Sequence, residues 1–255
     1  MLMYDFALAP NPGRVRAFMK EKGIEMEFHE VNVRDGQQHE EPYASKNPFR
    51  VTPFLELDDG TIIGESMAIC RYLEELNPEP NLFGSDAKER AIVEMWNRRV
   101  EMDGFANLGA AARNTVPMFV GRVLPGMKSD HPQVPEVAAR GRELVSVFLP
   151  KLDAQLAANK FVAGDRFTVV DITAVFLIRG VQMQKLDLSA CPNITRWVDE
   201  VSTRDCFTEP GPRAAGLTGC PCPSAPLVVE ERRLVGTVGA VHADIQSIDA
   251  IAVLL

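Results

Sequence analysis

Thr52-Pro53-Phe54-Leu55-Glu56-Leu57-Asp58-Asp59-Gly60-Thr61-Ile62-Ile63-Gly64-Glu65-Ser66 is the stretch on which the reading of the fold turns. Two short apolar runs flank Asp58-Asp59-Gly60, whose turn chemistry permits positive φ, and this predicts a β-hairpin. A helix is expected next, with Ile69, Cys70, Leu73 and Leu76 on one stripe. Upstream, residues 2–8 form a mostly apolar run suited to a buried strand. Residues 12–20 read as a helix with Pro12 in its first turn. Residues 25–33 largely alternate apolar and polar side chains, the period of a strand.

The order βαβ, a further helix, then ββα is that of a small α/β sheet domain of the thioredoxin kind. Asn77-Pro78-Glu79-Pro80-Asn81 stops its last helix and reads as a linker. Beyond it the apolar residues recur at helical spacing: Ile92, Trp96 and Val100, then Val137, Gly141, Leu144, Val145, Phe148 and Leu152. Residues 169–181 are apolar nearly all round, the mark of a helix buried inside a bundle. Thr168 and Asp171 fit a capping box there, with Phe167 and Ile172 placed as its hydrophobic staple. The predicted fold class is therefore an α/β domain followed by an all-α bundle. Its divisions are a thioredoxin-like domain at 1–76, a linker at 77–85, an all-helical domain at 86–207 and an atypical tail at 208–255. The tail opens with four prolines and three glycines in residues 208–223. It is read as lying outside the core fold, consistent with an extension translated out of frame.

Composition bounds the function. A chain of 255 residues, 46% hydrophobic and 24% charged, is that of a soluble globular protein with room for two domains. A net charge of −8 argues against nucleic acid and an anionic membrane surface as partners. No signal peptide and no apolar run of membrane-spanning length is read, and five scattered cysteines suggest reduced thiols, so a cytoplasmic location is expected. The four histidines show no metal-ligand spacing, and no metal is expected.

Three local features carry chemistry. The Thr52–Pro53 bond opens a strand, and such a bond is either an ordinary trans bond or a cis bond that turns the preceding backbone outward. That backbone could pair with an extended peptide ligand. Ser66 is either a plain N-cap or, with the first helical N–H groups, a binder of a ligand carboxylate. Glu65 would then hold a ligand ammonium.

Taken together, residues 10–16, 47–60 and 64–73, with the bundle motif at 161–172, resemble cytosolic glutathione transferases, over about residues 1–206. The resemblance implies that Pro53 is the family's cis-proline and that Val51 or Thr52 pairs with the cysteinyl backbone of glutathione. It implies that Glu65 and Ser66 hold the γ-glutamyl end and Lys46 the glycine carboxylate, with Gln38 or His39 assisting. Where many members place Tyr, Ser or Cys at the thiol, this chain has Leu8-Ala9-Pro10-Asn11-Pro12. It is closest to a branch using an asparagine, the first helix's N-terminus or a bound water, so Asn11 is the expected catalytic residue. Tyr4 is assigned to core packing, and Cys70 is expected to be inert. Arg113 and Asn114 are expected on the wall that faces the second substrate. The implied activity is conjugation of glutathione, a cosubstrate with no further cofactor, to small apolar electrophiles by a homodimer. The alternatives are glutathione-dependent peroxide or disulfide reduction, and a binding module without turnover.

Overall fold

The computed structural model describes residues 1–208. The readings made for the tail, residues 209–255, lie outside it. A four-stranded sheet runs β2-β1-β3-β4. Strand β1 (Leu2–Asp5) pairs parallel with β2 (Glu27–Glu30) and antiparallel with β3 (Phe54–Glu56), which forms the hairpin with β4 (Ile62–Gly64). The turn uses Gly60 at φ 84°, where a side chain would be strained. Register places Tyr4 opposite Phe54, with the two rings stacked 4.5 Å apart between centroids. Tyr4 is a core residue, as expected, and its hydroxyl donates to Glu56 at 2.7 Å.

Strand β1 stops earlier than residues 2–8 suggest because a turn, Ala9 N–H to Phe6 O, leads straight into α1 (Pro10–Glu21). Val15, Ala17, Phe18 and Met19 bury the core side of α1. Arg16, also buried, donates to Asp5 at 2.5 and 3.0 Å, so the pair ties helix to sheet with both charges compensated. A short α2 (Tyr43–Lys46) precedes β3, and α3 (Ser66–Leu76) closes this half. Ile69, Cys70 and Leu73 are buried in α3 as the stripe predicts, but Leu76 at the helix end is 52% exposed. Burial pushes the Cys70 thiol up to about 12, which keeps it protonated and unreactive.

Glu74 fastens the linker. Its carboxylate accepts from Lys22 at 2.6 Å and from the Leu82 and Phe83 N–H groups at 2.9 and 3.3 Å. The Leu82 carbonyl then accepts from Val169 N–H at 3.0 Å, at the start of the central helix of the second half. That half comprises α4 (Ala87–Arg99), a wide π-type turn (Val100–Phe105), α5 (Ala106–Arg113), α6 (Pro135–Ala158), α7 (Val169–Met183), α8 (Pro192–Val201) and a short α9 (Asp205–Thr208). The inward side of α4 is Val93 and Asn97, with Trp96 only partly buried, a rotation from the stripe Ile92–Trp96. Leu144 is likewise 43% exposed on α6.

The buried helix is α7, and its reciprocal capping box between Thr168 and Asp171 is formed. Asp171 also accepts from Val162 N–H at 3.0 Å and Trp197 Nε1 at 3.1 Å. One carboxylate thus joins the start of α7, the loop before it and α8. The two halves meet closely where α1 crosses α7: a Cβ on Gly13 would lie 2.5 Å from the Phe176 ring. No helix among the described residues is long and apolar enough to cross a membrane.

Candidate active site

One cleft gathers residues from five separate segments, one of them residues 33–39 after β2. Its floor comes from the starts of α1 and α3 and from the loop that enters β3. Its opposite wall is the irregular segment between α5 and α6. The Thr52–Pro53 bond is cis. The Val51 carbonyl is taken by Asn47 Nδ2 at 2.9 Å, whereas the Thr52 backbone N–H and C=O have no partner among the described residues. Of the two expected pairing residues, Thr52 is therefore the one whose backbone can accept an extended ligand.

Glu65 and Ser66 lie at the same cleft. Ser66 is not an N-cap. That position is held by Glu65, whose side chain caps nothing, and Ser66 is the first residue of α3. Glu65 sits at φ 66°, a backbone region that costs a non-glycine residue about 1–3 kcal/mol. The first turn of α3 contains no acidic residue, so its unpaired N–H groups present a positive end to the cleft.

At the other side of the floor, Asn11 lines the cleft. The start of α1 is poor in backbone donors. Pro10 and Pro12 have no N–H, and Gly13 N–H is bonded to Ala9 O, which leaves only the N–H of Asn11. Asn11 is the second helical residue and not the cap, so its side chain is free for other work. Its Oδ1 accepts from Arg14 Nη1 at 3.2 Å. A guanidinium can only donate, so this bond fixes the amide with Nδ2 as its open donor. Arg14 is buried and held in turn by Glu101 at 2.6 Å and Thr173 at 3.0 Å, from the π-type turn and from α7.

The remote end of the floor is basic. Gln38 is buried there with an Oε1 that has no hydrogen-bond partner, beside His39, Arg34 and Arg50. Burial, Lys128, Arg50 and Arg122 hold His39 below the usual imidazole range. Lys46, expected at this end, is not part of the lining. Its ammonium donates to Glu56 at 2.5 Å and lies over the Tyr4 ring, because α2 turns that side chain back onto β3. Arg50, in the loop that leads into cis-Pro53, stands in the cleft instead, itself at φ 55°.

The family model described as the glutathione S-transferase N-terminal domain matches residues 3–81, and that of the C-terminal domain matches residues 116–205. Glutathione S-transferase F6 of Arabidopsis thaliana is 30% identical over 75% of this chain and 89% of its own length. The chain belongs to the glutathione S-transferase family. Glutathione S-transferase 2 of Saccharomyces cerevisiae is 28% identical over 80% of this chain and 86% of its own. Among solved structures, a Gtt2-class glutathione S-transferase of Vibrio parahaemolyticus is 38% identical, covers 83% of this chain and 97% of its own, and superposes with a TM-score of 0.71.

In this transferase fold the wall facing the floor is partly apolar, with Met118, Phe119, Leu124 and Met127, and partly basic. Arg113 lines it, with its guanidinium over the Phe119 ring and Nη1 donating to Arg122 O at 3.0 Å. Asn114 does not. Its amide donates to Ala110 O at 2.9 Å and accepts from Val134 N–H at 2.9 Å, splicing the end of α5 to the start of α6. Arg122 reaches across to Val33 O at 3.0 Å and Arg34 O at 2.9 Å, and latches the wall to the floor. Gly126 passes so close to the Phe49–Arg50 backbone that a Cβ would lie 1.9 Å from Phe49 O. Arg34, Arg50 and Arg122 were missed from sequence because each lies in an irregular segment, where an arginine looks like ordinary surface. The one legible signal was Arg50, two residues before the Thr52-Pro53 pair.

Proposed function

We propose that the cleft binds glutathione, lowers the pKa of its thiol and delivers the thiolate to an electrophilic carbon of a small second substrate. The observation that carries this reading is Glu65, an acidic side chain held at positive φ at the mouth of an uncapped helix start. That helix start and Ser66 suit the γ-glutamyl carboxylate, and Glu65 suits the ammonium beside it. Thr52 offers the backbone pair for the cysteinyl unit, and Arg50 a cation for the glycine carboxylate. The unpartnered Gln38 Oε1 requires a donor, which a peptide N–H of the ligand would supply.

The thiol then falls to Asn11. A thiol of pKa ~8.5 is only a few per cent ionised at neutral pH, and lowering it by ~2 units takes roughly 2.7 kcal/mol of preferential thiolate stabilisation. Two charge-assisted hydrogen bonds of ~1.5 kcal/mol each suffice. Asn11 provides two donors, its backbone N–H and Nδ2. The thiol proton leaves to solvent, the sulfur lone pair forms the S–C bond, and the leaving group departs with the electrons of the bond that breaks. The gain is a bound, ionised and oriented nucleophile.

Conjugation of 1-chloro-2,4-dinitrobenzene to glutathione, followed in the parent, Glu65→Gln and Ser66→Ala proteins, tests this. Turnover in the parent with a glutathione KM raised about tenfold or more in both variants is expected. Glutathione-dependent reduction of a hydroperoxide without conjugation would replace the transferase reading by the reductase one. Binding with neither activity would leave a glutathione-fold binding module.

We further propose that the protein works as a homodimer, as the family resemblance implies. Phe49 is 74% exposed, and Met95 and Met102 are 51% and 54% exposed on α4 and the turn after it. Sedimentation equilibrium giving the mass of one chain at micromolar concentration would contradict it.

A further inference from the structure

The charge of the cleft does not match that of glutathione alone. A chain of net charge −8 lines one cleft with Arg34, Arg50, Arg113 and Arg122 against a single carboxylate, Glu65. Among the described residues none of these four arginines is ion-paired, and Lys128 adds a further cation beside Gly36. Elsewhere the chain compensates its buried cations with care: Arg16 with Asp5, Lys22 with Glu74, Arg14 with Glu101. Glutathione brings two carboxylates, one ammonium and, once ionised, a thiolate that the two Asn11 donors answer. Arg50 and the α3 start with Ser66 already answer the carboxylates, and Glu65 answers the ammonium. Arg34, Arg113 and Arg122 are surplus to that ligand.

Two of the three, Arg113 and Arg122, belong to the wall of the cleft, across from the floor that carries Asn11. Arg113 is largely buried, and among the described residues its guanidinium makes a single hydrogen bond, to the Arg122 carbonyl. Burial and the neighbouring Arg122 charge lower it to about 10, so it remains a cation at neutral pH without a counter-ion. Arg122 uses two of its five N–H donors in the latch to Val33 and Arg34, and Arg34 Nε is buried with no partner at all. A latch or a packing role needs hydrogen bonds, not uncompensated like charges in one cleft. Two guanidinium groups without counter-ions, lining one cleft with apolar Met118 and Phe119, form a site for an anion attached to an apolar body.

We propose that the second substrate is an electrophile that itself carries an ionised acidic group, a carboxylate above all, docked on Arg113 and Arg122. This rests on the glutathione reading and replaces the apolar electrophile that the sequence resemblance implies. The acidic group is not consumed. It stays ionised while the thiolate sulfur bonds to the electrophilic carbon and the leaving group departs with its electron pair. Its role is to orient that carbon toward the sulfur.

The test is calorimetric and independent of turnover. S-(4-carboxybenzyl)glutathione and the isosteric, neutral S-(4-carbamoylbenzyl)glutathione are titrated into the full chain, the Arg113→Gln variant and the Arg113→Lys variant. The parent is expected to bind the carboxyl ligand about tenfold more tightly, a gap that added salt narrows. In Arg113→Gln the preference falls below about twofold, and in Arg113→Lys part of it remains. Equal binding of the two ligands by the parent overturns the acidic-substrate inference and leaves the glutathione reading standing. A preference untouched by Arg113→Gln overturns the assignment to Arg113. If neither ligand binds, the glutathione reading fails and this inference falls with it.

Discussion

Arg14 Nη1 donates to Asn11 Oδ1 at 3.2 Å, and that single bond decides which end of the Asn11 amide faces the cleft. The arginine is itself set by Glu101 and Thr173, so residues of the helical half orient a donor that belongs to the first half. Removing Arg14 alone would leave the Glu101 carboxylate with Arg98 alone, 3.6 Å away, so the informative variant is Arg14→Met combined with Glu101→Gln. The amide is then free to flip. The acid limb of the kcat/KM profile is expected to move up by about one pH unit, the equivalent of losing one ~1.4 kcal/mol bond to the thiolate. The KM for glutathione should change little, because neither residue faces its peptide backbone. A profile that does not move would show that Arg14 has no part in setting the donor.

Arg50 and Lys46 separate cleanly. Lys46 is spent on Glu56 in a part-exposed pair, worth about 0–1 kcal/mol, and Arg50 faces the cleft. Arg50→Ala is expected to weaken glutathione binding about tenfold, and Lys46→Ala less than twofold, by calorimetry. The reverse order would restore Lys46 to the glycine carboxylate.

Glu65 carries strain that glycine would relieve. Glu65→Gly should raise stability by about 1 kcal/mol, or about 2–4 °C in Tm for a domain of this size. It should also weaken glutathione binding about tenfold or more. Opposite signs for stability and binding identify strain maintained for a ligand. A loss of both would mean that the carboxylate serves the fold.

Gly126 is the point where wall and floor touch. A methyl group there would meet Phe49 O at 1.9 Å and Arg50 O at 2.9 Å, on a backbone already at φ 71°. Gly126→Ala is expected to push the segment away, raise KM for both substrates several-fold and open residues 117–128 to limited proteolysis. Gly109→Ala, with nothing within 4 Å, is the control and should change neither.

The parts of the fold legible in the sequence were those where chemistry and spacing coincide. Asp58-Asp59-Gly60 fixed the hairpin because its glycine takes the positive φ, and Thr168 with Asp171 marked the start of α7 because both halves of a capping box are local. Which way a four-residue helix points is not local. Lys46 therefore turned toward β3, and only the tertiary position of Glu56 reveals it. Asn114 was misplaced for the same reason, since its partner Val134 lies across a loop. Asn11 was legible as a candidate, a departure from the family pattern. Its orientation was not, because Arg14, Glu101 and Thr173 meet only after the halves pack.

The most direct test of thiol activation is the ultraviolet absorbance of glutathione thiolate bound to the protein, followed against pH in the parent and in Asn11→Ala. The expected result is a pKa about 2 units below the free-thiol value of ~8.5 in the parent, moving back toward it in the variant. A bound thiol that titrates at the free value in the parent, or a depressed pKa that survives Asn11→Ala, would contradict the role given to Asn11.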